Sequence, residues 1–276
     1  MKINPNTVYS IAKKEFTDNV RNRWIIALTI IFVILTFATS ILGGKGTLGG
    51  LDETVIALLS ISCVLIPLIA IMLGYATISG EAESGSLSVV LSYPVRRLEV
   101  LLGKFFGLGM VIVTSVIIGF GSAGSIIIAV AGTSKWGNYL AFIGLTILLG
   151  ILYLSLSICF SAICKKRVAS LGMGIMIFFW SMLYGVIIIG VYYATGRTWE
   201  DLMSGSIPGW MWRSIFLSPS DMHQESVMLA FNIKKAFGFE MTPPGYINLG
   251  NLILVQLLWI IIPLIIAYYF FEKRDI

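Results

Sequence analysis

The sequence predicts an all-α integral membrane protein with six transmembrane helices, and three observations carry that expectation. The first is composition: the 276 residues are 57% hydrophobic and only 12% charged, whereas soluble domains run at about 25% charged and about 45–50% apolar. The mean hydropathy of +0.92 agrees. The second is length. Six apolar runs, Trp24–Leu42, Val55–Ser79, Phe105–Ala131, Tyr139–Ile163, Val168–Ala194 and Leu252–Phe271, approach or exceed the roughly 20 residues that cross the hydrocarbon of a bilayer. The third is that none of the six contains Asp, Glu, Lys, Arg or His. Residues 1–276 therefore read as a single six-span domain.

The chain opens on an amphipathic segment, residues 4–23. Asn4 can cap a helix and Pro5 suits its first position. Val8, Ala12, Phe16 and Val20 recur every four residues, with Ile11 on the same face. This spacing predicts a helix lying in the membrane interface before the first span. The segment is too long and polar for the start of a secretory signal, and it leads into a full-length span. Pro67 and Pro263 lie within the second and sixth spans, where neighbouring helices can satisfy the backbone groups that a proline frees.

Lys and Arg set the expected orientation. With the N-terminus inside, the inner segments are 1–23, 80–104, 164–167 and 272–276, and they hold 13 of the 19 bases. Lys45, Lys135, Arg197, Arg213, Lys234 and Lys235 fall outside. Both termini are expected in the cytoplasm of a cell (plasma) membrane protein. The net charge of +5 reflects this topology rather than nucleic-acid binding.

Residues 80–104, GEAESGSLSVVLSYPVRRLEVLLGK, break the apolar pattern with three acids and three bases. Leu87, Val90 and Leu91 have helical spacing. Pro94 disfavours a helical Tyr93 and ends that helix, and a new helix starts near VRRLEVLLGK. The segment thus predicts a short amphipathic helix at the inner surface, between the first pair of spans and the third.

Residues 195–251 form a long outer loop before the last span, too long for a simple connector. Trp199, Trp210 and Trp212 suit the headgroup layer, and with Asp221 they are the candidates for meeting a partner on the outer face. Short interfacial helices are expected here, one of them starting at Ser218 or Ser220. His223, the only histidine, reads as a solvated loop residue.

Several motifs are decoys. GFGSAG, Gly119–Gly124, fits G-x-G-x-x-G but lies inside a span and follows no strand. It reads instead as a small-residue face for helix packing, with Gly103, Gly107 and Gly109 on the same helix. GGKGTLGG lacks the Walker pattern. Cys63, Cys159 and Cys164 match no zinc or redox spacing. A lone histidine beside an acid is no metal site, and no catalytic cluster is visible. Uncharged spans argue against ion-coupled carriers and intramembrane proteases, which need ionisable groups at depth. If the protein moves something, energy must come from another subunit.

At this point the 80–104 segment resembles the first cytoplasmic coupling loop of type-two ABC transporter permeases. The closest subgroup is the NosY-like permeases, associated with maturation of nitrous oxide reductase. AKKEFTDNVRNRW is similar to that family's N-terminal helix, and SPSD and FEKRDI to its outer-loop motif and tail. Gly80, Glu81, Glu83, Ser84, Gly85, Leu87, Tyr93, Pro94, Glu99 and Lys104 match the coupling pattern. Arg96 departs from it, since many members carry Ser there, which would form a capping box with Glu99.

The resemblance implies a non-catalytic homodimer of permeases. Each copy is served by a cytoplasmic ABC ATPase that binds ATP and Mg, with no cofactor in this chain. It further implies export or work on an extracytoplasmic accessory protein, with copper or sulfur site assembly as one task. The alternatives are an exporter of a lipid, peptide or drug-like substrate, or an ATP-independent carrier or enzyme.

Overall fold

The computed structural model describes residues 4–44, 51–131, 136–203, 207–233, 235–236, 239–240 and 243–274. Residues 45–50, Lys135 and Lys234, which the sequence places outside, lie beyond the described residues.

The first helix, α1 (Pro5–Val20), begins as its sequence dictates: Asn4 is the N-cap, its side chain accepts the Asn6 N–H at 3.1 Å, and proline takes the first helical position. A two-residue break separates it from α2 (Arg23–Gly44). Next comes α3 (Leu51–Gly74), which passes through a turn at 75–78 into α4 (Ser79–Glu83). A short α5 (Ser86–Leu91) precedes the 35-residue α6 (Arg97–Ala131). At about 1.5 Å per residue, α6 is roughly 50 Å long and must protrude beyond a hydrocarbon layer about 30 Å thick. Two 28-residue helices follow, α7 (Trp136–Ile163) and α8 (Arg167–Ala194). Three shorter ones are α9 (Trp199–Met203), α10 (Gly209–Ser214) and, after a 3-10 turn at Ile215–Leu217, α11 (Pro219–Phe231). A two-residue antiparallel ladder, β1 (Lys235–Ala236) with β2 (Phe239–Glu240), precedes α12 (Leu249–Glu272). Apart from that ladder, the described regular structure is helical.

Five helical stretches are long and apolar enough to cross a membrane, and α2 contributes a shorter described apolar stretch, Ile26–Thr39. α7 is the hub. It packs on α3, α6, α8, α11 and α12, and Leu149, Leu152, Tyr153 and Leu154 on it are fully buried. The small residues of α6 act as expected of a packing face. A Cβ on Gly103 would sit 2.6 Å from the Ile11 Cβ, and one on Gly107 would sit 2.5 Å from the Ala12 carbonyl oxygen, so both glycines admit α1. Gly119 of the GFGSAG stretch admits the Phe32 ring in the same way, and Phe32 meets Phe120 edge-on.

The stretch between α8 and α12 corrects the expectation of helices lying on the surface. The N-terminus of α11 sits at half the depth of the bundle: Ser220 Oγ lies 3.0 Å from the Tyr153 hydroxyl, which donates to Ser181 Oγ at 2.6 Å. Ser181 is at the middle of the 28-residue α8. The chain therefore dips into the bundle and returns. Backbone carbonyls on the way down need donors where water is scarce. Tyr184 Oη donates to the Ser214 carbonyl at 2.8 Å, Trp259 Nε1 to that of Phe216 at 3.2 Å, and Trp180 Nε1 to that of Leu217 at 3.4 Å. Ser218 caps α11, accepting the Asp221 N–H at 3.4 Å.

His223 is consequently not solvated. It is fully buried, with Nε2 3.2 Å from Ser62 Oγ and its ring beside Phe142. Burial pushes its imidazole down to about 3 against the opposing pull of the Leu145 backbone, so the ring is neutral at physiological pH. Trp212 is buried too, packed with Met222, Ile247 and Leu252. Trp199 and Trp210 remain exposed.

Candidate functional site: a charged network at one end of the bundle

The turn from α3 into α6 is built by local rules. Gly85 holds a φ of +75° between α4 and α5, a left-handed conformation that favours glycine. Leu87 is fully buried and anchors α5. Val89, Tyr93 and Pro94 face outward. A tight turn, with the Val95 N–H donating to the Tyr93 carbonyl at 2.7 Å, carries the chain into α6. The loop therefore presents an exposed apolar tip, Val89 with Tyr93 and Pro94, on a buried foot.

Charge fixes that foot. Lys104 is buried, with its Nζ 2.6 Å from Glu81 Oε1 and 2.8 Å from Glu15 Oε1. One ammonium thus joins α4, α6 and α1. Buried charges persist only when paired and hydrogen-bonded, and here two carboxylates share one base. Glu99 solves the cap problem posed by Arg96. Its Oε2 accepts the Arg96 N–H at 3.0 Å, which is the backward half of a capping box, while Oε1 accepts the Asn4 N–H at 2.8 Å. A single carboxylate thereby starts both α6 and α1. Glu83 Oε2 accepts the Arg167 N–H at 3.1 Å at the N-terminus of α8, where the helix dipole favours an anion. Gly80, in α4, has the Ala76 side chain close by. Ser84 Oγ donates to the Glu81 carbonyl at 3.2 Å.

The remaining long helices are tied in by groups that the sequence reading did not single out. Ser161 Oγ on α7 accepts the N–H groups of both Ile78 and Ser79 at 3.0 Å. Arg97 Nη1 donates to the carbonyls of Phe271 and Glu272 at 2.6 Å and of Arg274 at 2.9 Å, closing the C-terminus of α12. Arg274 in turn donates to the Ser161 and Ala162 carbonyls at 3.2 Å, at the end of α7. Glu15 had a signal available, since it is an acid one turn beyond Ile11 and Ala12 on the packed face of α1. Ser161 and the two arginines had none, because their partners are backbone groups far away in sequence.

The ten loop residues singled out from sequence therefore divide by role. Glu81, Glu83, Glu99 and Lys104 form the ties, Gly85 and Leu87 shape and seat the loop, and Tyr93 and Pro94 are displayed. Gly80 and Ser84 complete the short α4 turn. On the far side, Trp199 and Trp210 are open, while Trp212 and Asp221 face inward. No group of three or more His, Cys, Asp or Glu suited to a metal exists among the described residues.

This bundle of apolar helices, with an amphipathic first helix and a braced polar loop, defines a multi-pass membrane protein. Residues 9–276 match the family described as ABC-2 family transporter protein, and the chain belongs to that family. Among its relatives is the probable ABC transporter permease protein NosY of Pseudomonas aeruginosa, 30% identical over 98% of this chain and 99% of that one. The protein of the same description from Stutzerimonas stutzeri is also 30% identical, with the same coverage of both chains.

Proposed function

We propose that this chain is the membrane permease of an ABC transporter, with six spans counting α2, whose ATP is hydrolysed by a separate cytoplasmic subunit. The exposed tip of Val89, Tyr93 and Pro94 is the surface that the ATPase grips. One observation carries this reading above the others: the tip stands on a foot whose hydrogen bonds and ion pairs reach α1, α6, α7 and α8 directly, and α12 through Arg97. A displacement of α5 is therefore delivered to the whole bundle as a rigid-body input. The excess of bases at this end supports a cytoplasmic position for it. The apolar outer faces of α8 and α12 suit a second copy of the chain or lipid. The two relatives, described as probable permeases, support the permease reading, and the resemblance of the loop to NosY-like permeases makes nitrous oxide reductase maturation the system to test first.

The test is purification of the chain in mild detergent with mass spectrometry of what co-elutes. A stoichiometric Walker-A subunit is expected with the wild type and is expected to be lost from Tyr93→Ala with Pro94→Ala. A lone chain, even after crosslinking, would refute the reading.

A further inference from the structure

In the half of the bundle away from the charged network, a cavity of about 440 Å³ opens between α8, α9, α10 and α11. This is the size of small-molecule sites, which run at about 300–1,000 Å³. Its walls are apolar and aromatic, with Tyr184, Ile188, Trp199 and Trp212 among them. Against those walls α11 sets two acids, Asp221 and Glu225. They are four residues apart and so share one helix face.

Glu225 is the unusual group. It is only 9% exposed, yet its carboxylate has no hydrogen-bond or ion-pair partner among the described residues. Its oxygens are not fully sealed, and the residue lines the cavity. A buried, unpartnered carboxylate is costly, whereas Asp221, one turn away, is eased by the Ser218 side chain. Burial raises both acids, Glu225 to about 7, with the Ser218 side chain opposing the shift of Asp221.

A cation in the cavity, next to Glu225, relieves that cost. Two carboxylates without a third ligand of the usual types do not make a metal site. The aromatic and aliphatic walls favour an organic cation, since aromatic rings attract positive charge.

We propose that this cavity binds an organic cation, its ammonium-type head between Asp221 and Glu225 and its apolar body against Tyr184 and Trp212. The head can come from a soluble amine or from an amine-bearing lipid of the outer leaflet. The inference goes beyond the permease reading and does not depend on an ATPase, because the site lies within this chain.

The test uses the full chain in phosphatidylglycerol nanodiscs. The probes are tetraphenylphosphonium and tetraphenylborate, which match in size and apolar character but carry opposite charge. Saturable binding of the phosphonium above empty discs is expected, with none for the borate. Glu225→Gln and Asp221→Asn are each expected to weaken phosphonium binding about tenfold or more. If either fails to fold, Ile188→Trp fills the cavity from α8 and is expected to abolish binding. Phosphatidylethanolamine in half of the lipid separates the two sources: competition marks a lipid headgroup, and no competition a soluble amine. Equal binding of both probes, unchanged affinity in the variants, or no saturable binding above empty discs would overturn the proposal.

Discussion

Lys104 shows how much a single side chain can hold at the scale of one residue. Replacing it with Met leaves Glu81 without a base and Glu15 with only the exposed Lys14, 3.7 Å away. Breaking a buried pair by removing one partner costs about 3–5 kcal/mol, so Lys104→Met is expected to lower the thermal midpoint in detergent sharply. Adding Glu15→Gln and Glu81→Gln to that variant removes the stranded charges and is expected to restore part of the loss. No recovery in the triple variant would mean that the ion pairs are not what stabilises this end. Glu225 makes a prediction about pH. Its folded-state value is raised from 4.5 to about 7 by burial, so the folded state favours its protonated form. Its contribution to stability is complete below about 4.5 and is lost as pH rises through 7. His223 has the opposite sign. Its value falls from 6.5 to about 3, so its contribution is complete above 6.5 and is lost as pH falls. The difference in midpoint between wild type and Glu225→Gln isolates the acid. That difference is expected to move against the wild type between pH 5 and 7.5, and a flat difference would refute the assignment.

At the scale of the element, α1 on α6 gives the sharpest case. Gly107 faces the Ala12 carbonyl with no room for a Cβ, whereas Gly121 has open space around it. Gly107→Val is expected to lift α1, read as faster hydrogen exchange over residues 5–20, and Gly121→Ala is expected to leave that exchange unchanged. Equal effects from the two would remove the small-residue argument. Much at this scale was legible in advance. The Asn4–Pro5 start, the break at Pro94 and a cap at one of the two candidate serines follow from local chemistry, and the structure shows each; of the six expected spans, five are long and apolar enough and α2 contributes a shorter described stretch. The path of residues 207–231 was not legible. It alternates polar and apolar groups much as an interfacial helix would, and what draws it inward is a set of distant donors, Tyr184, Trp180 and Trp259, waiting for its carbonyls. His223 and Trp212 were misplaced for the same reason. The pairing of the loop residues was not legible either: a lysine's spacing from two acids, one of them 89 residues away, carries no sequence signal.

The whole molecule has a braced end and, in its other half, a cavity, and α7, α8 and α12 run between them. If ATP hydrolysis drives this chain, the work enters at the loop tip and must cross the foot before it reaches those helices. Grip and transmission then belong to different residues. Tyr93 and Pro94 are displayed, and their replacement by Ala is expected to cost ATPase binding. Glu83 lies behind the tip and ties α4 to the start of α8 through the Arg167 N–H and a 4.0 Å approach of its guanidinium. Glu83→Ala is therefore expected to retain the ATPase on co-purification while stimulation of its turnover by the permease falls several-fold. Glu83→Gln keeps an acceptor for the Arg167 N–H and is expected to fall less. The two measurements, co-purification and turnover, must separate the two sites. If the tip and Glu83 variants lose binding and turnover together, the foot is part of the docking surface, and α8 receives no separate input through Arg167.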